Sequence, residues 1–136
     1  MTRIKPIEKE DASDDVRIIY KEIEAGFGMV PNLFKTYAHF PALLRVNWDK
    51  TKALMMGGEL SRELKESIAV VVSSANSCNY CVAATLTPHK ITDSETTELR
   101  SLGLTDSQIV EILGVMELFT GYNKFLDAVE IDFPEV

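Results

Sequence analysis

Two cysteines stand three positions apart in Cys78-Asn-Tyr-Cys81, and the chain has no others. The segment reads as the start of a helix, so one turn puts the two side chains on neighbouring positions. They could close a disulfide or hold a metal ion together. Free backbone N–H groups and the helix dipole favour a thiolate at such a place. A thiolate there can be oxidised by a peroxide and restored by thiol exchange. Two other uses stay open. The pair could be two small buried side chains, or half of a zinc site. Zinc would need His39, His89 or carboxylates, which stand at spacings with no recognisable zinc pattern, and there is no second CxxC. No metal and no cofactor is therefore expected.

Redox catalysis also needs a group that moves protons. Glu66 is the candidate: Val70, Ser73 and Ser77 continue its helical face towards Cys78. A carboxylate held near thiols in a poorly solvated pocket can act as base or acid. Its other reading is a solvated helix residue paired with Arg62 or Lys65. Three more residues belong to the neighbourhood. Tyr80 reads as an aromatic of the pocket wall whose hydroxyl is available. Thr85 either bonds its own backbone or holds a water or proton. His89 reads as a helix-end cation or a surface residue. His39 and Trp48 read as core or interface.

The elements that must position these residues are helical. Ser13 is a natural N-cap, with Asp14 and Asp15 suited to the first turn. Val16, Ile19, Tyr20, Ile23 and Phe27 fall on one helical face, and Gly28 can end that helix. A short helix follows over about 32–39. Pro41 suits the first position of a third, which carries Leu43, Leu44, Trp48, Leu54 and Met55 towards Gly57-Gly58. Ser61 caps a fourth helix, to about Asn76, with Leu64, Ile68, Val71, Val72 and Ala75 as its buried stripe. Apolar or small residues most of the way round predict a central position for it. The Cys pair opens a fifth, over about 77–90. Thr92-Asp-Ser-Glu95 is a capping-box pattern for a sixth, ending at Gly103. Thr105-Asp-Ser-Gln108 repeats it for a seventh carrying Ile109, Ile112, Leu113, Met116 and Phe119, and continuing to about Ala128. No alternating strand segment is present. The expected fold class is all-α, a compact bundle of about six to seven helices, with an extended arm over 1–12 and a single helical domain over 13–136.

Composition sets the outer bounds. The chain has 136 residues, 46% hydrophobic and 26% charged, an ordinary balance for one globular domain. Its net charge of -7 gives no general attraction to nucleic acid or anionic lipid. The first ten residues lack an apolar stretch of the signal-peptide kind. No apolar run approaches the ~20 residues of a membrane helix. A cytoplasmic location, with no nucleic acid and no membrane as partner, is the expectation. In that compartment a close Cys pair more often means redox chemistry or metal than a structural disulfide.

The pattern of Glu66 twelve positions before Cys78, then Cys81, resembles alkylhydroperoxidase D and the carboxymuconolactone decarboxylase family. Gly28-Met-Val-Pro-Asn-Leu-Phe with its Pro-led helix resembles the N-terminal half of peroxidase-related members with CxxC. Leu60 to Ser73 and Cys78 to Ala84 resemble their core motif, and Leu118 to Ala128 their last helix. The resemblance covers roughly Asp14 to Ala128. It implies an alkylhydroperoxidase D-like fold, trimers or hexamers built from them, a small hydroperoxide or disulfide substrate and a thiol electron donor. It implies that Cys81 attacks peroxide through a sulfenic acid, that Cys78 is its disulfide partner, and that Glu66 belongs to the proton relay. The family places a histidine four residues after the second Cys, where this chain has Thr85. Alkylhydroperoxidase D has another just before that Cys, where this chain has Tyr80. His89 lies ~12 Å along a straight helix from Cys81, too far to stand in directly.

Three functions compete. The first is a thiol-dependent peroxidase or disulfide reductase. The second is a decarboxylase-type lyase, against which the CxxC counts, as does the lack of a basic cluster for a multiply charged acid. The third is a non-enzymatic redox sensor with a degenerate proton relay.

Overall fold

The computed structural model describes residues 2–74 and 92–130. Among them are six α-helices, one π-helical turn and no strand, which makes the fold all-α. The helices are α1 (Asp14–Phe27), α2 (Asn32–Tyr37), α3 (Pro41–Thr51), α4 (Arg62–Ser74), α5 (Asp93–Ser101) and α6 (Asp106–Val129), and the π-helical turn spans Lys52–Met56. The expected fifth helix, at 77–90, lies outside the described residues. The chain forms two compact units, one on residues 2–51 and 124–130, the other on 52–74 and 92–123.

In the first unit local chemistry sets the bounds of α1. The Ser13 hydroxyl accepts the Val16 N–H at 3.4 Å, and Asp14 and Asp15 face the positive end of the helix dipole. Gly28, at φ 79°, closes the helix by donating its N–H to the Glu24 carbonyl at 2.8 Å. Val16, Ile19, Tyr20 and Ile23 are buried, as their spacing predicts, while Phe27 is partly exposed. Helices α1 and α2 both pack on α3. Trp48, 1% exposed, meets the rings of Phe27 and Phe34 edge-on at 5.4 and 5.8 Å. Such pairs add roughly 0.5–1.5 kcal/mol each beyond the area they bury. Its indole N–H donates to Glu22 at 3.1 Å, and Glu22 also takes a two-pronged contact from Arg45 at 2.8 and 3.0 Å.

The chain before α1 is irregular and tied down by backbone groups. Ile7 donates its N–H to the Lys35 carbonyl at 3.0 Å, and the Tyr20 hydroxyl donates to the Ile7 carbonyl at 2.8 Å. Burial, with the charge of Glu8, pushes that hydroxyl far above the ordinary tyrosine range. Arg3 caps the last turn of α6: its backbone N–H donates to Val129 O at 2.9 Å and its guanidinium to Ala128 O at 3.0 Å. Helix α2 stops at Tyr37, two residues short of the expected end. His39 is exposed rather than core, with Nε2 2.8 Å from the Lys5 carbonyl oxygen.

In the second unit the continuation of α3 differs from the pattern's promise. The α-helix ends at Thr51, and residues 52–56 form the π turn before Gly57 and Gly58 break the run. Ser61 then starts α4 as expected, its hydroxyl accepting the Leu64 N–H at 3.2 Å. Ile68 packs with Ile112, Val115 and Met116, and Leu54, Met55, Leu60, Val71, Val72, Leu104 and Phe119 lie against them. One residue of α4 corrects the sequence reading: Leu64, placed in the buried stripe, is 41% exposed, while Val70, off that stripe, is exposed. The buried neighbour is Lys65. Both capping patterns form. Thr92 and Glu95 bond reciprocally at the start of α5. Before α6 the Thr105 N–H donates to the Gln108 side chain at 2.9 Å, and the Gln108 N–H donates to the Thr105 hydroxyl at 3.2 Å. No helix among the described residues is long and apolar enough to cross a membrane.

Candidate functional site

Glu66 sits in the second turn of α4 with its side chain 56% exposed. Its Oε1 accepts from Nε of Arg62, one turn earlier, at 2.7 Å. An exposed pair at this helical spacing contributes only about 0.3–0.5 kcal/mol. In the described structure Glu66 thus has the solvated, Arg62-paired surroundings that its sequence allowed beside the catalytic reading. Cys78, Tyr80, Cys81, Thr85 and His89 lie outside the described residues. Among the described residues no group of three or more His, Cys, Asp or Glu could hold a metal ion.

One residue before Glu66 the surroundings change completely. The Lys65 side chain is 1% exposed and its ammonium meets Glu111 of α6 at 2.6 Å. It also donates to the Gly57 carbonyl. The Glu111 carboxylate takes the Glu59 N–H at 2.8 Å and the Leu60 N–H at 3.3 Å. Burial pushes the Glu111 carboxyl up, but the hydrogen bonds from Lys65, Glu59 and Leu60, with the Lys65 charge, outweigh this and hold it below the ordinary carboxylate value. Gly58 makes the approach possible. Its φ of +88° suits glycine, and a Cβ there would overlap the Glu111 carboxylate. One ion pair therefore ties the 57–60 loop, α4 and α6 together. Nothing in the local sequence marked Lys65 as buried; the Gly57-Gly58 pair was the one signal of a close backbone approach.

Beside this latch lies a cavity of about 340 Å³, lined by Met55, Met56, Gly57, Gly58, Leu60, Arg62 and Lys65. Its wall thus combines thioethers and a leucine with two cationic side chains, and Arg62 connects it to Glu66.

The helical fold of the described residues is shared with solved structures. The chain has the fold of a peroxidase-related protein of Silicibacter sp. TM1040, at TM-score 0.81 and 24% identity, over 96% of this chain and 91% of that one. A peroxidase-related alkylhydroperoxidase AhpD core from Ralstonia eutropha superposes at TM-score 0.79 and 23% identity, again over 96% and 91%. The profile of the carboxymuconolactone decarboxylase family matches residues 40–132. The chain belongs to that family. It is also 25% identical over 114 residues to an alkyl hydroperoxide reductase of Mycobacterium tuberculosis, covering 84% of this chain and 30% of that protein. The chain thus spans less than a third of that relative's length.

Proposed function

We propose that this protein is a thiol-dependent oxidoreductase that reduces hydroperoxides or small disulfides through the Cys78/Cys81 pair, with Glu66 moving protons. The observation that carries the reading is the family match over residues 40–132, a range that includes the positions of Glu66, Cys78 and Cys81. A relative named as an alkyl hydroperoxide reductase supports it. In the reaction the Cys81 thiolate attacks the peroxide oxygen, the O–O bond breaks, and a proton goes to the departing alkoxide to give an alcohol and Cys81 sulfenic acid. The Cys78 thiol then displaces water and closes the disulfide. A dithiol donor returns two electrons and two protons. Tyr80, Thr85 and His89 are the further candidates for the proton relay in this reading, and no cofactor takes part. A trimer or hexamer in a reducing cytoplasm, with the donor at hand, completes the proposal.

The CxxC weighs against a lyase reaction. Thr85 and Tyr80 in place of the two family histidines favour slow peroxide turnover over fast, which keeps a sensor role as the second reading. The deciding measurement is mass spectrometry of the folded protein after mild peroxide. Loss of two hydrogens between Cys78 and Cys81, restored by dithiothreitol, is expected. Two free thiols after that treatment would sink the redox reading, and a disulfide without catalytic consumption of peroxide would leave the sensor.

A further inference from the structure

We propose that the cavity between the 55–58 segment and the start of α4 binds the carboxylate of a short-chain organic acid, and that Arg62 is the residue that selects it. Arg62 is held by Glu66 through Nε alone, at 2.7 Å. Its two terminal nitrogens have no partner among the described residues, so a carboxylate can take the fork end without breaking the Glu66 pair. That planar fork is the side chain best matched to a carboxylate. Lys65 lines the same cavity and is fully buried. Two of its three N–H groups go to Gly57 O and Glu111. Its ammonium is thus engaged within the fold and adds positive charge beside the cavity rather than a direct contact. Met55, Met56 and Leu60 provide apolar wall for a short chain behind the carboxylate. Both cations already face one carboxylate each, so the site suits a single negative charge rather than two.

The bound acid lies next to Glu66 through Arg62. If the thiol reading holds, the cavity selects hydroperoxides that carry a carboxylate over neutral ones. That consequence rests on the reading above; the binding itself does not. The test therefore reads binding without turnover. Methionine methyls are labelled with ¹³C in the full chain, and hexanoate and hexanol are titrated in parallel. Hexanoate should saturate and move the Met55 and Met56 methyls while Met29, exposed in the other unit, stays in place. Arg62→Gln should weaken hexanoate by about tenfold to a hundredfold, the range of a charge-assisted hydrogen bond, and leave hexanol unchanged. Arg62→Lys should recover part of the loss. A Cys78→Ser/Cys81→Ser variant should bind like the wild type, so a failed thiol chemistry and a failed anion site give different results. The proposal falls if hexanoate does not saturate, if it binds no better than hexanol, or if Arg62→Gln binds it as the wild type does.

Discussion

Removing Glu111 strands a buried charge. In Glu111→Ala the ammonium of Lys65, 1% exposed in the native chain, loses its counter-ion and keeps only the Gly57 carbonyl. Breaking a buried pair from one side costs about 3–5 kcal/mol, because the remaining charge stays desolvated. The Glu59 and Leu60 N–H groups lose their acceptor as well, but they lie nearer water and add less. Against a total stability of roughly 5–15 kcal/mol this is a large fraction, and a melting point lower by about 10 °C or more follows. The cost belongs to the unpaired charge, not to the missing contact. Replacing both partners with apolar residues, Lys65→Met with Glu111→Leu, should therefore restore most of the stability. Urea unfolding followed by far-UV circular dichroism measures all three proteins, with free energies extrapolated to water. A Glu111→Ala loss below about 1 kcal/mol would refute this account of the latch. So would a double variant no more stable than the single one.

Because Glu111 is held below the ordinary carboxylate value in the folded chain, its contribution is complete above the unfolded value and is lost as pH falls through the folded one; Glu111→Gln should flatten the acid limb of stability against pH in a series of melts. Gly58→Ala should destabilise by ~1–3 kcal/mol or more, since it combines an unfavourable positive φ with a clash on Glu111, whereas Gly103→Ala, with the same sign of φ and open space, should cost only the backbone strain; paired denaturation curves give the difference. Glu66→Gln should slow oxidation of the Cys pair by ~10²- to 10⁴-fold with little change in melting temperature, and an unchanged rate in the folded variant would return Glu66 to a surface ion pair. Thr85→His should raise hydroperoxide turnover more than disulfide exchange, because alkoxide departure needs a proton and thiolate departure does not; equal effects in a steady-state comparison of the two substrates would count against a missing relay.

Most of the helix boundaries needed only the sequence. Ser13, Gly28, Ser61, Thr92 and Thr105 act on backbone groups within four residues of themselves, so local chemistry decides them. The buried face of α1 follows for the same reason, from a periodicity contained in one helix. The candidate chemistry was equally local: a CxxC and a carboxylate twelve positions before it are visible without any fold, and so was the resemblance that led to the family.

Tertiary structure decided what depended on partners far along the chain. Periodicity alone permits α4 to bury Leu64 or Lys65, because both stripes share Ile68 and Val72. Which one turns inward depends on Glu111 standing on α6 and on a loop that offers Gly57 O and two N–H groups. A lysine becomes a core residue only when another element supplies its counter-charge, and no local pattern announces that partner. The π turn at 52–56 is a second case: its residues continue the apolar spacing of α3, yet the hydrogen-bond ladder changes before Gly57 and Gly58. The cavity beside Arg62 is the third. Its lining residues are near neighbours in sequence, but the concavity exists only because the glycine pair folds the chain back against the start of α4.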